Sequence, residues 1–153
     1  MKTKNNLFDY IVGFSWLLQV ITIIVKQKSL SPVTPLQLSV GGQINYSLKA
    51  NGTVIFNDII ILTFLVLGVL YLKYGIIKWE FKYGLASDLL GFVARIFKLF
   101  QIYIYVCAWV FWLNMLRLSD LGSSIFILNN LGLIIGGMGI SVIYLYQRWL
   151  KRG

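Results

Sequence analysis

The chain has 153 residues and a net charge of +9, with 14 lysines and arginines, five acidic residues and no histidine. Hydrophobic residues make up 58% and charged residues 12%, whereas soluble domains carry about 25% charged residues. With so few polar side chains, the chain cannot cover a water-soluble fold. The composition therefore predicts a membrane protein, and basic residues that only flank apolar segments indicate lipid contacts rather than a nucleic-acid partner.

The apolar residues are gathered into four runs, each close to the roughly 20 residues that a membrane-spanning helix needs. These runs predict spans near residues 7–25, 54–72, 96–116 and 125–146 within a single membrane domain, 1–153. The fold class that follows is an all-α membrane protein, a four-helix bundle made of two antiparallel hairpins.

The first run resembles a secretory signal, but Lys26-Gln27-Lys28 follows it in place of a small-residue cleavage site. We expect it to remain as the first span. Ser15, Gln19 and Thr22 share one helical face. That face predicts interhelical hydrogen bonds, which contribute about 0.6 kcal/mol each in a membrane, or alternatively a stripe that lines a substrate path.

Residues 26–53 form the predicted extracytoplasmic loop. Pro32 and Pro35 exclude a helix there, and apolar and polar residues then alternate around two glycine turns. The pattern predicts a small β-meander with strands near 36–40, 43–49 and 53–56. The alternative is an irregular loop that covers the helix ends.

Residues 73–95 are predicted to form a basic cytoplasmic hinge, followed by an amphipathic helix in the inner interface that continues into the third span. Ser87 is its predicted N-cap, and Leu89 and Val93 lie opposite Arg95. Four basic residues are the candidate contacts for a protein partner or for lipid headgroups: Lys78, Lys82, Arg95 and Lys98.

The last two spans carry two stripes of side chains. Gln101, Tyr105, Ala108 and Trp112 share a face of the third span, which indicates packing or, alternatively, an aromatic ligand cage. In the fourth span a candidate helix-packing face contains Asn129, Gly132, Gly136 and Gly139. Small residues four apart let helix backbones approach closely, either inside the monomer or in a homo-oligomer.

The distribution of basic residues predicts the orientation. Ten of the 14 fall in segments on the side of the N-terminus, which places both termini in the cytoplasm and the meander outside. A composition rich in Ile, Asn and Lys favours a bacterial plasma membrane.

Little chemistry is available to such a chain. It contains no histidine, its five acids lie at span ends or in loops, and Cys107 is its only cysteine. The sequence therefore predicts no catalytic, cofactor-binding or metal-binding residues, and no enzyme.

The remaining functional class is a non-enzymatic membrane protein that acts by protein–protein interaction, in an accessory, regulatory or immunity role, in contact with membrane lipids. Two alternatives stay open. One is a subunit of a small transporter or channel, and the other is a holin-like lytic protein.

Overall fold

A computed structural model describes residues 6–49, 54–83 and 88–151. Its elements, in chain order, are α1 (Asn6–Val25), a 3₁₀ turn (Gln27–Ser29), β1 (Val33–Leu38), β2 (Ile44–Lys49), α2 (Val54–Tyr83), α3 (Asp88–Met115) and α4 (Ser119–Leu150). The fold is mainly helical with one small sheet. All four α-helices are long and apolar enough to cross a membrane.

The second and third helices extend beyond the predicted spans. At 1.5 Å per residue, the 30 residues of α2 reach about 45 Å, well beyond the roughly 30 Å of a hydrocarbon core. The segment 73–83, predicted as the start of a hinge, is therefore a helical extension. The segment 88–95 joins the third predicted span without a break, because α3 is continuous from Asp88. The predicted N-cap, Ser87, lies outside the described residues.

Each helix packs on the next one in the chain. The indole nitrogen of Trp16 in α1 donates to the hydroxyl of Thr63 in α2 at 3.1 Å. Gln101 in α3 donates to the Val69 carbonyl of α2 at 3.3 Å. The Tyr103 hydroxyl of α3 donates to the Asn130 side-chain oxygen of α4 at 3.0 Å. Side-chain hydrogen bonds thus join each helix to the next.

The core lies between α1, α2 and α3. Its buried apolar side chains include Val12, Ile23, Leu62, Val66, Val69, Ala108, Phe111 and Met115. In contrast, Gly122 is the only buried residue of α4. Leu128, Ile135 and Met138 are exposed along that helix. Helix α4 therefore presents a long apolar face that nothing in the described chain covers.

The sheet is an antiparallel ribbon of β1 and β2, which pair from Val33 with Lys49 to Leu38 with Ile44. We call residues 33–49 the ribbon. The third predicted strand, 53–56, begins outside the described residues, and its last three residues form the first turn of α2. They continue into an apolar run, and a helix satisfies its own backbone groups, whereas a further strand depends on its neighbour.

A tight turn joins α3 to α4. Arg117 takes a left-handed conformation, with φ of 62°. The Leu118 and Arg117 amides donate to the Leu113 and Asn114 carbonyls, which is a Schellman motif with arginine where glycine is usual. The Arg117 guanidinium also donates to the Leu30 carbonyl, at 3.0 and 3.2 Å. This side-chain contact ties the turn to the segment that enters the ribbon.

Candidate functional site

The predicted basic contacts lie together at the end of the bundle that is far from the ribbon. Lys78, Lys82 and Arg95 are exposed on the C-terminal part of α2 and the N-terminal part of α3. Lys98 is also exposed, but its ammonium lies 2.9 Å from Glu80. Lys98 therefore differs from the other three, because it links two helices.

A second ion pair lies deeper at the same end. The carboxylate of Asp9 in α1 accepts hydrogen bonds from the Lys73 ammonium and, at 3.0 Å, from the Tyr74 hydroxyl. The Lys73 side chain is only 8% exposed. It also lies 5.5 Å from the centre of the Phe8 ring, within cation–π range. This pair joins α1 to α2.

Between these two ion pairs lies a cavity of about 240 Å³, which we call the polar cavity. Its lining combines charged, amide and apolar side chains: Phe8, Lys73, Ile77, Glu80, Lys98 and Gln101. Exposed Ile77 and Lys98 mark its opening to the surface, whereas Gln101 is buried. The cavity thus offers both signs of charge to an entering molecule.

Most of the acidic side chains at this end of the bundle form ion pairs. The third pair joins Asp88 to Lys151 at 2.7 Å. Among the described residues at this end, four basic side chains remain outside these pairs and define the basic surface: Lys78, Lys82, Arg95 and Arg148. The end of the bundle therefore keeps a net positive charge.

The opposite end of the bundle holds the ribbon. The Thr34 hydroxyl of β1 donates to the Asp58 carboxylate of α2 at 2.7 Å, and both residues are buried. The Ser123 hydroxyl of α4 donates to the Gly42 carbonyl at 2.7 Å. The Asn130 amide of α4 donates to the Val40 carbonyl at 3.3 Å. Bonds from two helices thus fix the ribbon.

Close packing at the ribbon turn explains one of its glycines. Gly42 has φ of +77°, and a Cβ there would lie 2.8 Å from Cα of Ser123. Both the conformation and the space at this position admit only glycine without a shift of backbone. The outer side of the ribbon is different, because Val40, Ile44 and Tyr46 are exposed there.

The four residues of the predicted helix-packing face divide into two pairs. Asn129 donates to the Tyr103 carbonyl at 3.1 Å, and a Cβ on Gly136 would lie 3.0 Å from Leu99. These two residues contact α3. Gly132 and Gly139 have open space where a Cβ would stand. They lie on the exposed face of α4.

The three polar residues of the predicted face of α1 differ in their hydrogen-bond partners. The Tyr105 hydroxyl of α3 donates to Ser15 at 3.1 Å, while Thr22 bonds its own helix at the Leu18 carbonyl. Gln19 is 1% exposed, and neither atom of its amide has a hydrogen-bond partner in the described part of the chain. A buried amide without a partner is costly, so the described packing leaves the Gln19 side chain unsatisfied.

Sequence reasoning missed all four of the acidic contacts that cross between elements. Asp9 and Asp58 were visible as isolated acids at the ends of apolar runs, but their partners Lys73 and Thr34 depend on the register between elements. No group of three or more His, Cys, Asp and Glu side chains that could hold a metal ion occurs within the described ranges.

No protein-family model, curated protein or solved structure matches the chain.

Proposed function

We propose that this chain is an integral protein of a bacterial plasma membrane that acts by binding a protein partner, in an accessory, regulatory or immunity role, and not by catalysis. Its four long apolar helices form two antiparallel hairpins across the bilayer. The exposed apolar face of α4 supports this proposal, since soluble monomers rarely expose large contiguous apolar patches. Lipid covers that face in a membrane.

The orientation places both termini and the basic surface in the cytoplasm, and the ribbon outside. Asp58 and the α3–α4 turn lie at the ribbon end, whereas Lys78 and Lys82 lie at the far end of α2. A net positive cytoplasmic end agrees with the positive-inside rule and with attraction to anionic lipid headgroups.

One observation carries the proposal of a binding role. Four of the five acidic side chains bind partners within the chain: Asp9, Asp58, Glu80 and Asp88. In each case the bond joins two different elements, so these carboxylates hold the structure together. The carboxylates that would serve as catalytic acids or proton carriers thus stabilise the fold instead. The exposed side chains that could bind a partner lie at the two ends of the helix bundle.

The ribbon is the better candidate surface for an extracytoplasmic partner. The exposed fractions of Val40, Ile44 and Tyr46 are 78%, 43% and 55%. Tyrosine is among the side chains that most often anchor an interface, and Tyr46 stands on the fixed backbone of β2. The basic surface is the corresponding candidate for a cytosolic partner.

The test compares two variants in cells that express the chain, with chemical crosslinking before purification. One variant carries Ile44→Asp and Tyr46→Asp, and the other carries Lys78→Gln, Lys82→Gln and Arg95→Gln. Loss of a crosslinked partner from the first variant supports an accessory or immunity role outside, and loss from the second supports a cytosolic regulatory role. Gln43→Ala, an exposed change in the ribbon turn, is the matched control. A set of crosslinked proteins unchanged in both variants contradicts the proposal.

Gln19 favours a second candidate, a subunit of a small transporter or channel. Its buried, unpaired amide lies in the interior of the bundle, where a polar substrate would pass. Flux of small ions through proteoliposomes that disappears with Gln19→Ala, but persists with Thr22→Val, supports this candidate. Absence of flux from the unaltered chain removes it.

A further inference from the structure

We propose that the polar cavity binds the headgroup of a zwitterionic phospholipid that carries a primary ammonium and a phosphate. This proposal rests on the membrane location proposed above. The occupant is defined by two opposite charges that stand at the cavity, the carboxylate of Glu80 and the ammonium of Lys98.

The position of the cavity suits a lipid headgroup. It opens beside Ile77 and Lys98, at the end of the bundle where the basic surface lies. In the proposed orientation this end meets the headgroups of the cytoplasmic leaflet. A volume of about 240 Å³ exceeds the space of a single water several-fold, so the cavity has room for a group of several non-hydrogen atoms.

The ion pair between Glu80 and Lys98 can exchange its partners for the two charges of a zwitterion. The Lys98 side chain is 56% exposed, and exposed ion pairs contribute little to stability. A zwitterion separates the pair without leaving either charge alone, because its phosphate accepts from Lys98 and its ammonium donates to Glu80. Both new contacts are charge-assisted hydrogen bonds, which are stronger than neutral ones.

The floor of the cavity is fixed, which gives the headgroup a rigid site. Gln101 is held by its hydrogen bond to the Val69 carbonyl. Asp9 holds the ammonium of Lys73, and this pair adds no net charge to the floor. The lining therefore selects for balanced charge instead of a simple anion.

Three phospholipids with the same acyl chains distinguish the possibilities. Phosphatidylethanolamine carries both groups, phosphatidylglycerol lacks the cation, and phosphatidylcholine has a cation that cannot donate a hydrogen bond. The full-length protein is exposed to an equimolar mixture of the three in detergent, and the retained lipids are counted by native mass spectrometry. We expect phosphatidylethanolamine to be retained about tenfold over each of the others, the ratio that corresponds to one lost contact of about 1.4 kcal/mol.

Variants assign the retained lipid to the cavity. Glu80→Gln should abolish the preference for phosphatidylethanolamine over phosphatidylglycerol, and Lys98→Gln should lower the retention of all three lipids. Lys28→Gln, which removes an exposed lysine at the ribbon end of the bundle, should change neither result. Ile77→Phe, which narrows the opening, should lower retention even if a charge variant fails to fold.

Two outcomes overturn the proposal: equal retention of the three lipids by the unaltered protein, or a preference that survives both Glu80→Gln and Ile77→Phe.

Addition of free phosphoethanolamine separates the two sources of the same headgroup chemistry. Displacement of the lipid at equal concentration would show a site for the soluble zwitterion instead. A protein that resists extraction from membranes by alkaline carbonate but shows no lipid preference refutes this inference alone. A protein released by carbonate refutes the membrane proposal as well.

Discussion

The hydrogen bond from Thr34 to Asp58 should contribute more to stability than an ordinary contact between helices. Asp58 is completely buried, Thr34 is its only hydrogen-bond partner in the described part of the chain, and its second oxygen has none. Thr34→Val keeps the side-chain shape and removes the donor. A hydrogen bond to a charged group contributes about 1.5–3 kcal/mol, well above the average of about 0.6 kcal/mol for bonds between membrane helices.

For a chain of this length, each kcal/mol shifts the melting temperature by about 2–4 °C. We therefore expect Thr34→Val to lower the Tm by about 3–12 °C, measured by circular dichroism in one detergent. Thr22→Val is the control, because the Thr22 hydroxyl bonds only the Leu18 carbonyl of its own helix. That change should shift the Tm by less than about 2 °C.

A double variant tests the reason for the effect. If the cost comes from a buried carboxylate without a donor, then adding Asp58→Leu to Thr34→Val should recover part of the lost stability, because removal of both partners is nearly neutral. Equal melting temperatures for Thr34→Val and Thr22→Val would refute the reasoning. So would a double variant that is less stable than Thr34→Val alone.

Two further predictions concern glycines with matched controls. Gly42→Ala should loosen the ribbon turn and increase its cleavage in limited proteolysis, because the new Cβ would meet the Ser123 backbone at 2.8 Å; Gly41→Ala, whose Cβ would have only a 3.8 Å contact, should leave cleavage unchanged. Gly136→Ile should lower the Tm by about 2–4 °C per kcal/mol of overpacking against Leu99, whereas Gly132→Ile enters open space and should not. Equal effects within either pair would contradict these packing assignments.

The long apolar helices and the small sheet were predictable because both follow from local pattern. Runs of about 20 apolar residues can satisfy their backbone groups only as helices in a membrane, and alternation around Gly41 and Gly42 indicates a hairpin. The pattern could not place the start of β1. The predicted strand near 36–40 begins too late, because Pro35 lies inside β1, where the register of the ladder is irregular and a missing N–H is tolerated.

The contacts of the candidate site could not be predicted from the sequence, for a different reason. Lys73 lies 64 residues from Asp9, and Lys98 lies 18 residues from Glu80. Each pairing depends on the rotation and register of one helix against another, which side-chain packing decides. Charge counts assigned Lys98 to the same basic group as Lys78, and only the packing of α3 on α2 separates their roles.

The measurement that tests the central proposal most directly is cysteine labelling with a membrane-impermeant maleimide, on a Cys107→Ala background. Three positions are compared in intact and permeabilised cells: Tyr46→Cys on the ribbon, Lys78→Cys on the basic surface and Met138→Cys on α4. Met138 is 65% exposed in the isolated chain, so only lipid or a partner can shield it. We predict labelling of Tyr46→Cys in intact cells, of Lys78→Cys only after permeabilisation, and of Met138→Cys in neither. Labelling of all three in one compartment would contradict a chain that crosses the membrane.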